Sequence, residues 1–241
     1  VVNEIKATGI TGASNSGYVL TTNGSGIATF QAAGGGSVLT GNLLYVDAGN
    51  GNDGTGALGD FTKPYLTLAA AKTAATKGYT IVVRPGTYTV STSIAKDSVD
   101  WYFYPNTSVT MASDVDSTGI WDDGGTEMHF TVTGSGKFSR STADEFLGVN
   151  LINITNAASV MNIEADELIT VCVDGESTVI NQLNGEINIA ARLIGITGSN
   201  VYAVWWFNGK MNINVSTINS EYVAVEGRVD ATPTGDANIT V

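Results

Sequence analysis

Apolar and polar residues alternate with period two through much of the C-terminal half, and the alternating block repeats. Met161-Asn162-Ile163, Ile187-Asn188-Ile189, Met211-Asn212-Ile213 and Ala237-Asn238-Ile239 recur at steps of 26, 24 and 26 residues. Turn pairs precede the last three: Asn184-Gly185, Asn208-Gly209 and Thr234-Gly235. Period two places Met161, Ile163 and Ala165 on one face, matched by Ile187, Ile189 and Ala191, then by Met211, Ile213 and Val215. Asn162, Asn188, Asn212 and Asn238 must then point outward as a ladder. Short β segments repeating at this interval predict a solenoid, one coil per repeat. Met128-His129-Phe130-Thr131-Val132 is expected in the same register one longer coil earlier, with His129 at the Asn-ladder position. Trp101-Tyr102-Phe103-Tyr104 is expected in the coil before that.

Val201 to Phe207 departs from the pattern. Val201, Ala203, Trp205 and Phe207 share one face, and Tyr202, Val204 and Trp206 share the other. Both faces are apolar, so both are expected to be covered, one by the solenoid interior and one by a second subunit or a ligand. Tyr202, Val204 and Trp206 are the interface or glycan-contact candidates. The interface is preferred, because an exposed aromatic stripe invites aggregation.

Earlier in the chain the pattern changes. Leu43 to Asp47 reads as a strand and Asp47 to Gly56 as a turn-rich loop. A helix is expected to open at Thr62-Lys63-Pro64-Tyr65, with Thr62 as cap and Pro64 in the first turn. Its apolar stripe would be Leu66, Ala69, Ala70, Thr73 and Ala74, and Gly78 would end it. Tyr79 to Tyr88 then reads as strand and turn. This stretch resembles the opening segment of pectate-lyase-like right-handed parallel β-helix proteins. The residues that carry the resemblance are Tyr45-Val46-Asp47, Gly51-Asn52-Asp53-Gly54, Leu68 to Ala71, and Ile81 to Tyr88. The resemblance implies a short helix covering the N-terminal end of the solenoid. It implies little chemistry, because that family holds lyases, hydrolases, adhesins and virus appendages.

Residues 1–40 are small and polar. Gly17 to Gln31 reads as two short strands around Asn23-Gly24-Ser25-Gly26, and Gly34-Gly35-Gly36 as a flexible joint. A lone hairpin is marginal in water and needs a partner surface. This segment resembles a short module found near the N-terminus of phage tail-fibre and other virion-appendage proteins. Three segments are therefore expected: 1–40 for attachment, 41–80 for the first strand, loop and cap helix, and 81–241 for the β-helix.

Composition agrees with strands and tight turns, with 29 Gly, 4 Pro and only 14% charged residues. A formal charge of −12 disfavours nucleic acid, which requires clustered Lys and Arg. No apolar run is long enough to span a membrane. Cys172 stands alone in an apolar run and reads as a buried, inert thiol. The start, Val1-Val2-Asn3-Glu4, has neither Met nor a signal-peptide pattern, as expected of a fragment or a processed product.

Candidate chemistry is thin. Asp122 and Asp123 with Glu127 form the best acidic cluster for glycoside hydrolysis, but a solvated loop between coils is the preferred reading. Glu164, Asp166 and Glu167 form a second acidic run. Asp166 is expected to face Arg192 one rung away, about 4.8 Å in a parallel stack, and to pair with it. Asp47, Asn50, Asn52 and Asp53 have a calcium-loop flavour without the spacing or the closing Glu. His129 is the only histidine and reads as a surface residue; it cannot make a usual zinc site. No cofactor and no metal are expected.

The sequence thus predicts an all-β protein: a right-handed parallel β-helix with a short N-terminal capping helix and a small N-terminal β-hairpin attachment module. The expected role is a non-enzymatic virion appendage on a phage surface, a tail fibre, head fibre, spike or head-decoration subunit. It would be a homotrimer, attached to other virion proteins through residues 1–40 and meeting host glycan. A tailspike-type polysaccharide depolymerase is the alternative, and a bacterial surface adhesin the third reading.

Overall fold

The computed structural model describes residues 18–22, 28–32, 42–112, 119–142, 150–172, 177–198, 201–220, 223–227 and 236–241. The Asn23–Gly26 turn, the Gly34–Gly36 joint, Thr234-Gly235 and the side chain of Cys172 lie outside the described parts. Two compact units divide at Thr40 and Gly41. In the first, β1 (Tyr18–Thr22) and β2 (Ala28–Ala32) pair antiparallel, with Leu20 opposite Phe30.

The second unit starts with β3 (Leu43–Val46), α1 (Leu68–Ala74), β4 (Tyr79–Val83) and β5 (Gly86–Val90). There follow β6 (Val99–Phe103), β7 (Thr107–Met111), β8 (Trp121–Asp122), β9 (His129–Gly134), β10 (Lys137–Thr142) and β11 (Asn150–Ile154). The remainder is β12 (Val160–Cys172), β13 (Ser177–Gln182), β14 (Glu186–Thr197), β15 (Val201–Trp206), β16 (Lys210–Ser220), β17 (Val223–Gly227) and β18 (Ala237–Thr240). Every pairing among these strands is parallel. One sheet has 11 strands and the other has five, in the order β17-β15-β13-β11-β8. The described residues are thus all-β apart from one helix, with long parallel sheets that curl, an arrangement compatible with a β-helix.

The curl is visible in the register. The first part of β12 pairs with β9, and its later part, Glu167 to Cys172, pairs with β10. Between β12 and β14 the pairing runs from Val160 to Ala165, omits Asp166, and resumes at Glu167. The strand bends there, so one strand serves two directions of the sheet.

The repeat ladders align as expected. Met161, Ile187, Met211 and Ala237 share a rung position, as do Ile163, Ile189, Ile213 and Ile239. Ile163, Ile189 and Ile213 are buried, and Ile239 on the last strand is half-buried. Each fully buried Ile contributes ~1.5–3 kcal/mol by leaving water. Gly185 and Gly209 sit at left-handed φ of 73° and 90°, and a Cβ on either would collide with backbone carbonyls of the neighbouring coil. Toward β6 the core turns aromatic. Trp101 stacks on Phe103 with centroids 5.9 Å apart, and Trp121 meets Phe130 at 5.6 Å and Phe138 at 5.4 Å.

Two expectations require correction here. β9 does lie one coil before β12, but Phe130 pairs with Met161 and Thr131 with Asn162. The register is two residues from the expected one, so Thr131 takes the ladder position and His129 lies opposite Val160. A shift of two preserves the inward face, so alternation alone could not detect it.

The helix also starts later. Thr67, not Thr62, is the N-cap, and its hydroxyl accepts from Ala70 N–H at 3.1 Å. Thr62 instead bonds the Asp60 carboxylate through its N–H and hydroxyl, and Pro64 precedes the helix. The buried positions are Leu68, Ala71 and Ala75, whereas Leu66, Ala69, Thr73 and Ala74 face solvent. The decisive group is Asp53, whose carboxylate accepts from Leu66 N–H, Thr67 N–H and the Thr67 hydroxyl. That long-range clasp extends the loop through Thr67 and delays the first helical turn.

Candidate functional site

The outer face of the 11-stranded sheet carries two parallel columns of side chains. Thr131, Asn162, Asn188, Asn212 and Asn238 share the first, by direct cross-strand pairing. Thr133, Glu164, Ala190, Asn214 and Thr240 stand two residues further along each strand. Together they line an open depression of about 440 Å³. Asn188 donates its amide to Asn162 Oδ1 at 2.9 Å, and Asn212 donates to Asn188 Oδ1 at 2.7 Å. An amide in such a ladder uses one N–H and one lone pair on its neighbours. At Asn188 the amide also donates to Glu186 Oε1 at 3.2 Å, and its oxygen keeps a second lone pair.

Aromatic rings border this face. Tyr102 is the cross-strand partner of Thr133. Tyr102 and Tyr104 are 39% and 43% exposed, and their rings meet edge to face at 5.2 Å. On the bend beside the columns stands a four-charge cluster. Arg192 Nε donates to Asp166 at 2.6 Å, and Arg192 Nη2 donates to Glu167. Lys137 reaches Glu167 at 2.9 Å and Asp166 at 3.5 Å. The Arg192 bond holds the Asp166 carboxyl below its ordinary range against some burial, with Lys137 adding to it. The expected Asp166–Arg192 pair is present.

Asp122, Asp123 and Glu127 do not form a solvated acidic loop. Asp122 is 7% exposed and Asp123 is fully enclosed. Asp123 accepts from Gly125 N–H, Thr155 N–H, the Thr155 hydroxyl and Asn156 N–H, at 2.8–3.0 Å. Asp122 accepts from Gly119 N–H, Gly124 N–H and the Asn153 amide. Both carboxylates staple one coil to the next, with their lone pairs committed to structure. Glu127 alone is exposed, 3.6 Å from His129 Nε2. His129 is a surface residue that also approaches the Ala158 carbonyl at 2.7 Å.

Asp47, Asn50, Asn52 and Asp53 also turn to separate internal partners. Asp47 accepts from Gly49 N–H at 2.9 Å, Asn50 N–H at 3.0 Å and Arg84 Nη1 at 3.1 Å. Burial pushes the Asp47 carboxyl up, but these donors together outweigh it and hold it below its ordinary range. Asn52 accepts from Gly54 N–H, and Asp53 clasps Leu66 and Thr67. Among the described residues no group of three or more His, Cys, Asp or Glu is placed to hold a metal ion.

The stripe of Tyr202, Val204 and Trp206 is not one outward face. Val204 is fully buried and stacks on Ile180, and Trp206 packs partly buried against the core. The Tyr202 ring meets Trp205 instead, at 5.6 Å. Ala203 and Val204 are consecutive buried residues, as are Val179–Ile180 and Leu151–Ile152 one and two coils earlier. The cross-strand pairing also omits Ala203 and Val179. Strict alternation therefore fails at the same point on each of these strands.

The sequence pattern identifies the Asn column but not the residues that stand beside it. Thr131, Thr133 and Tyr102 were obscured by the two-residue register ambiguity and by unequal coil lengths. The available signal was the T-x-T spacing of Thr131 and Thr133, matching the N-x-N spacing of Asn212 and Asn214. No family model, curated protein or solved structure matches the chain.

Proposed function

We propose that the chain is a non-enzymatic appendage of a phage particle, built as a right-handed parallel β-helix of the pectate-lyase-like type. It lies at the virion surface as a homotrimer, attached to other virion proteins through residues 1–40. Host-surface glycan meets the outer face of the 11-stranded sheet. Support comes from the sequence resemblances and from the composition of that face. One observation carries the binding role: Glu164 is the single carboxylate among the described residues that line the depression. Glycoside hydrolysis ordinarily takes two. Amides and hydroxyls repeated every rung, with exposed tyrosines alongside, suit recognition of a polyol chain, since tyrosine offers both a ring face and a hydroxyl. On the five-stranded sheet, Tyr202 and Trp205 replace the original stripe as the pair left for a subunit contact.

The test uses the purified full chain and polysaccharide extracted from the host surface. Binding is measured by calorimetry and cleavage by release of reducing ends. The expected result is saturable binding without cleavage, weakened at least tenfold in Tyr102→Ala and in Asn188→Ala. Release of reducing ends would establish the depolymerase instead. Binding unchanged in both variants would refute the proposed face.

A further inference from the structure

A second pocket lies far from the amide columns in sequence, between α1 and the segment that follows β5. It encloses about 310 Å³ and is lined by Thr67, Lys72 and Thr73 on one side and Thr89, Ser91 and Thr92 on the other. The Thr89, Ser91 and Thr92 side chains are exposed, with no partner among the described residues. Its single charged lining group is the Lys72 ammonium, whose one bond is to the Ser93 carbonyl at 2.6 Å. An ammonium has three donors.

The surroundings leave that charge uncompensated. Lys96 lies close by, donating at 2.7 Å to the carbonyls of Lys72 and Ala75. Lys96 thereby satisfies the open carbonyls at the helix C-terminus, a defined structural role. Lys72 has no such role, and no described acid forms an ion pair with either lysine. The carboxylates of the segments that bond Thr67 and Ser93 are engaged elsewhere. Asp53 bonds Thr67 at the opposite end of the helix, five residues or ~7.5 Å from Lys72. Asp122 is held by Gly119, Gly124 and Asn153. Burial, and then the charge of Lys96, push the Lys72 amine below its ordinary range. In a chain of net charge −12, such a pair of unmatched cations stands out.

We propose that this pocket binds a small polyhydroxylated carboxylate, with Lys72 as the charge partner and the Thr89, Ser91 and Thr92 hydroxyls as hydrogen-bond partners. A lysine is a compact point charge without the fork that clamps a carboxylate or a phosphate at two oxygens, and one ammonium balances a monoanion more closely than a phosphate of about −1.5 to −2 charge. The pocket offers one ammonium, and no arginine or aromatic ring lines it. That set matches a single negative charge on a hydroxyl-bearing chain, and it does not match a phosphate cluster or a nucleotide base. The bound anion relieves the repulsion between the two lysines. The inference is independent of the reading of the outer sheet face.

The test uses the full chain with gluconate as probe, sorbitol as its uncharged counterpart, and inorganic phosphate. Calorimetry is expected to show saturable gluconate binding that weakens at least tenfold in Lys72→Gln and persists in Lys72→Arg. Sorbitol and phosphate are expected not to bind. A second readout needs no variant: the Lys72 side-chain nitrogen titration, followed by NMR, should move upward when gluconate is present. Phosphate binding as tight as gluconate, unchanged affinity in Lys72→Gln, or a Lys72 titration unmoved by gluconate would each overturn the proposal.

Discussion

Ile189→Ala tests the stacked core most directly. Ile189 pairs with Ile163 on one side and Ile213 on the other, and all three are buried. Its truncation deletes three carbons, a transfer loss of about 2.4 kcal/mol at ~0.8 kcal/mol per buried CH2. Parallel pairing on both flanks fixes the rungs ~4.8 Å apart, so the neighbours cannot close the space. A cavity term then brings the total to about 3–4 kcal/mol. Ile239→Ala is the control. It occupies the same column but is half-buried on β18, with a described partner on one side only. Its expected cost is about 1 kcal/mol by the same carbon arithmetic. Urea unfolding is followed by far-UV circular dichroism and tryptophan fluorescence together, because repeat arrays can unfold in stages. A cost below about 1 kcal/mol for Ile189→Ala, or equal costs at the two positions, would refute the stacked-ladder argument.

Other outcomes follow from single contacts. Thr67→Ala should cost about 1 kcal/mol as a lost N-cap, while Thr62→Ala should stay within about 0.5 kcal/mol as an exposed substitution; the reverse order in thermal unfolding would restore the earlier helix start. Asp123→Ala should cost at least about 3 kcal/mol, because it strips several enclosed donors of their acceptor; a folded, fully stable variant would show the staple to be dispensable. Asp47 titrates lower in the folded chain than in the unfolded chain. Its stabilisation is therefore complete above the unfolded value of about 3.9 and is lost as pH falls through the folded value. The stability gap between the parent and Asp47→Asn should thus be constant above about pH 5 and shrink below about pH 4; a gap that widens on acidification would contradict the assignment.

The repeat ladders were legible because Met161, Ile187 and Met211 repeat both period and spacing, and each such residue has one low-energy place to go. The Asn column was legible for the same reason. What stayed hidden depended on contacts distant in sequence. Asp53 reaching Leu66 and Thr67 sets the helix start, and no local cap signal outweighs three bonds to one carboxylate. Asp123 looked like a solubility device until its donors arrived from Thr155 and Asn156, more than thirty residues later. Trp206 was assigned by strict alternation, which Ala203 and Val204 break. The rule held where the pairing is continuous and failed where the strand bends.

The placement of Gly185 beside Lys210 has a consequence for how the molecule can change length. Lys210 N–H bonds the Gly185 carbonyl at 2.8 Å across one rung, and Gly185 and Gly209 hold equivalent turn positions. Removing residues 186–209 would connect one turn to the next strand at an equivalent point. One strand would be lost from each sheet, and every remaining side chain would keep its inward or outward sense. Removing a whole coil therefore keeps the ladders in register, whereas losing an odd number of residues within a strand would put isoleucine on the surface and asparagine in the core.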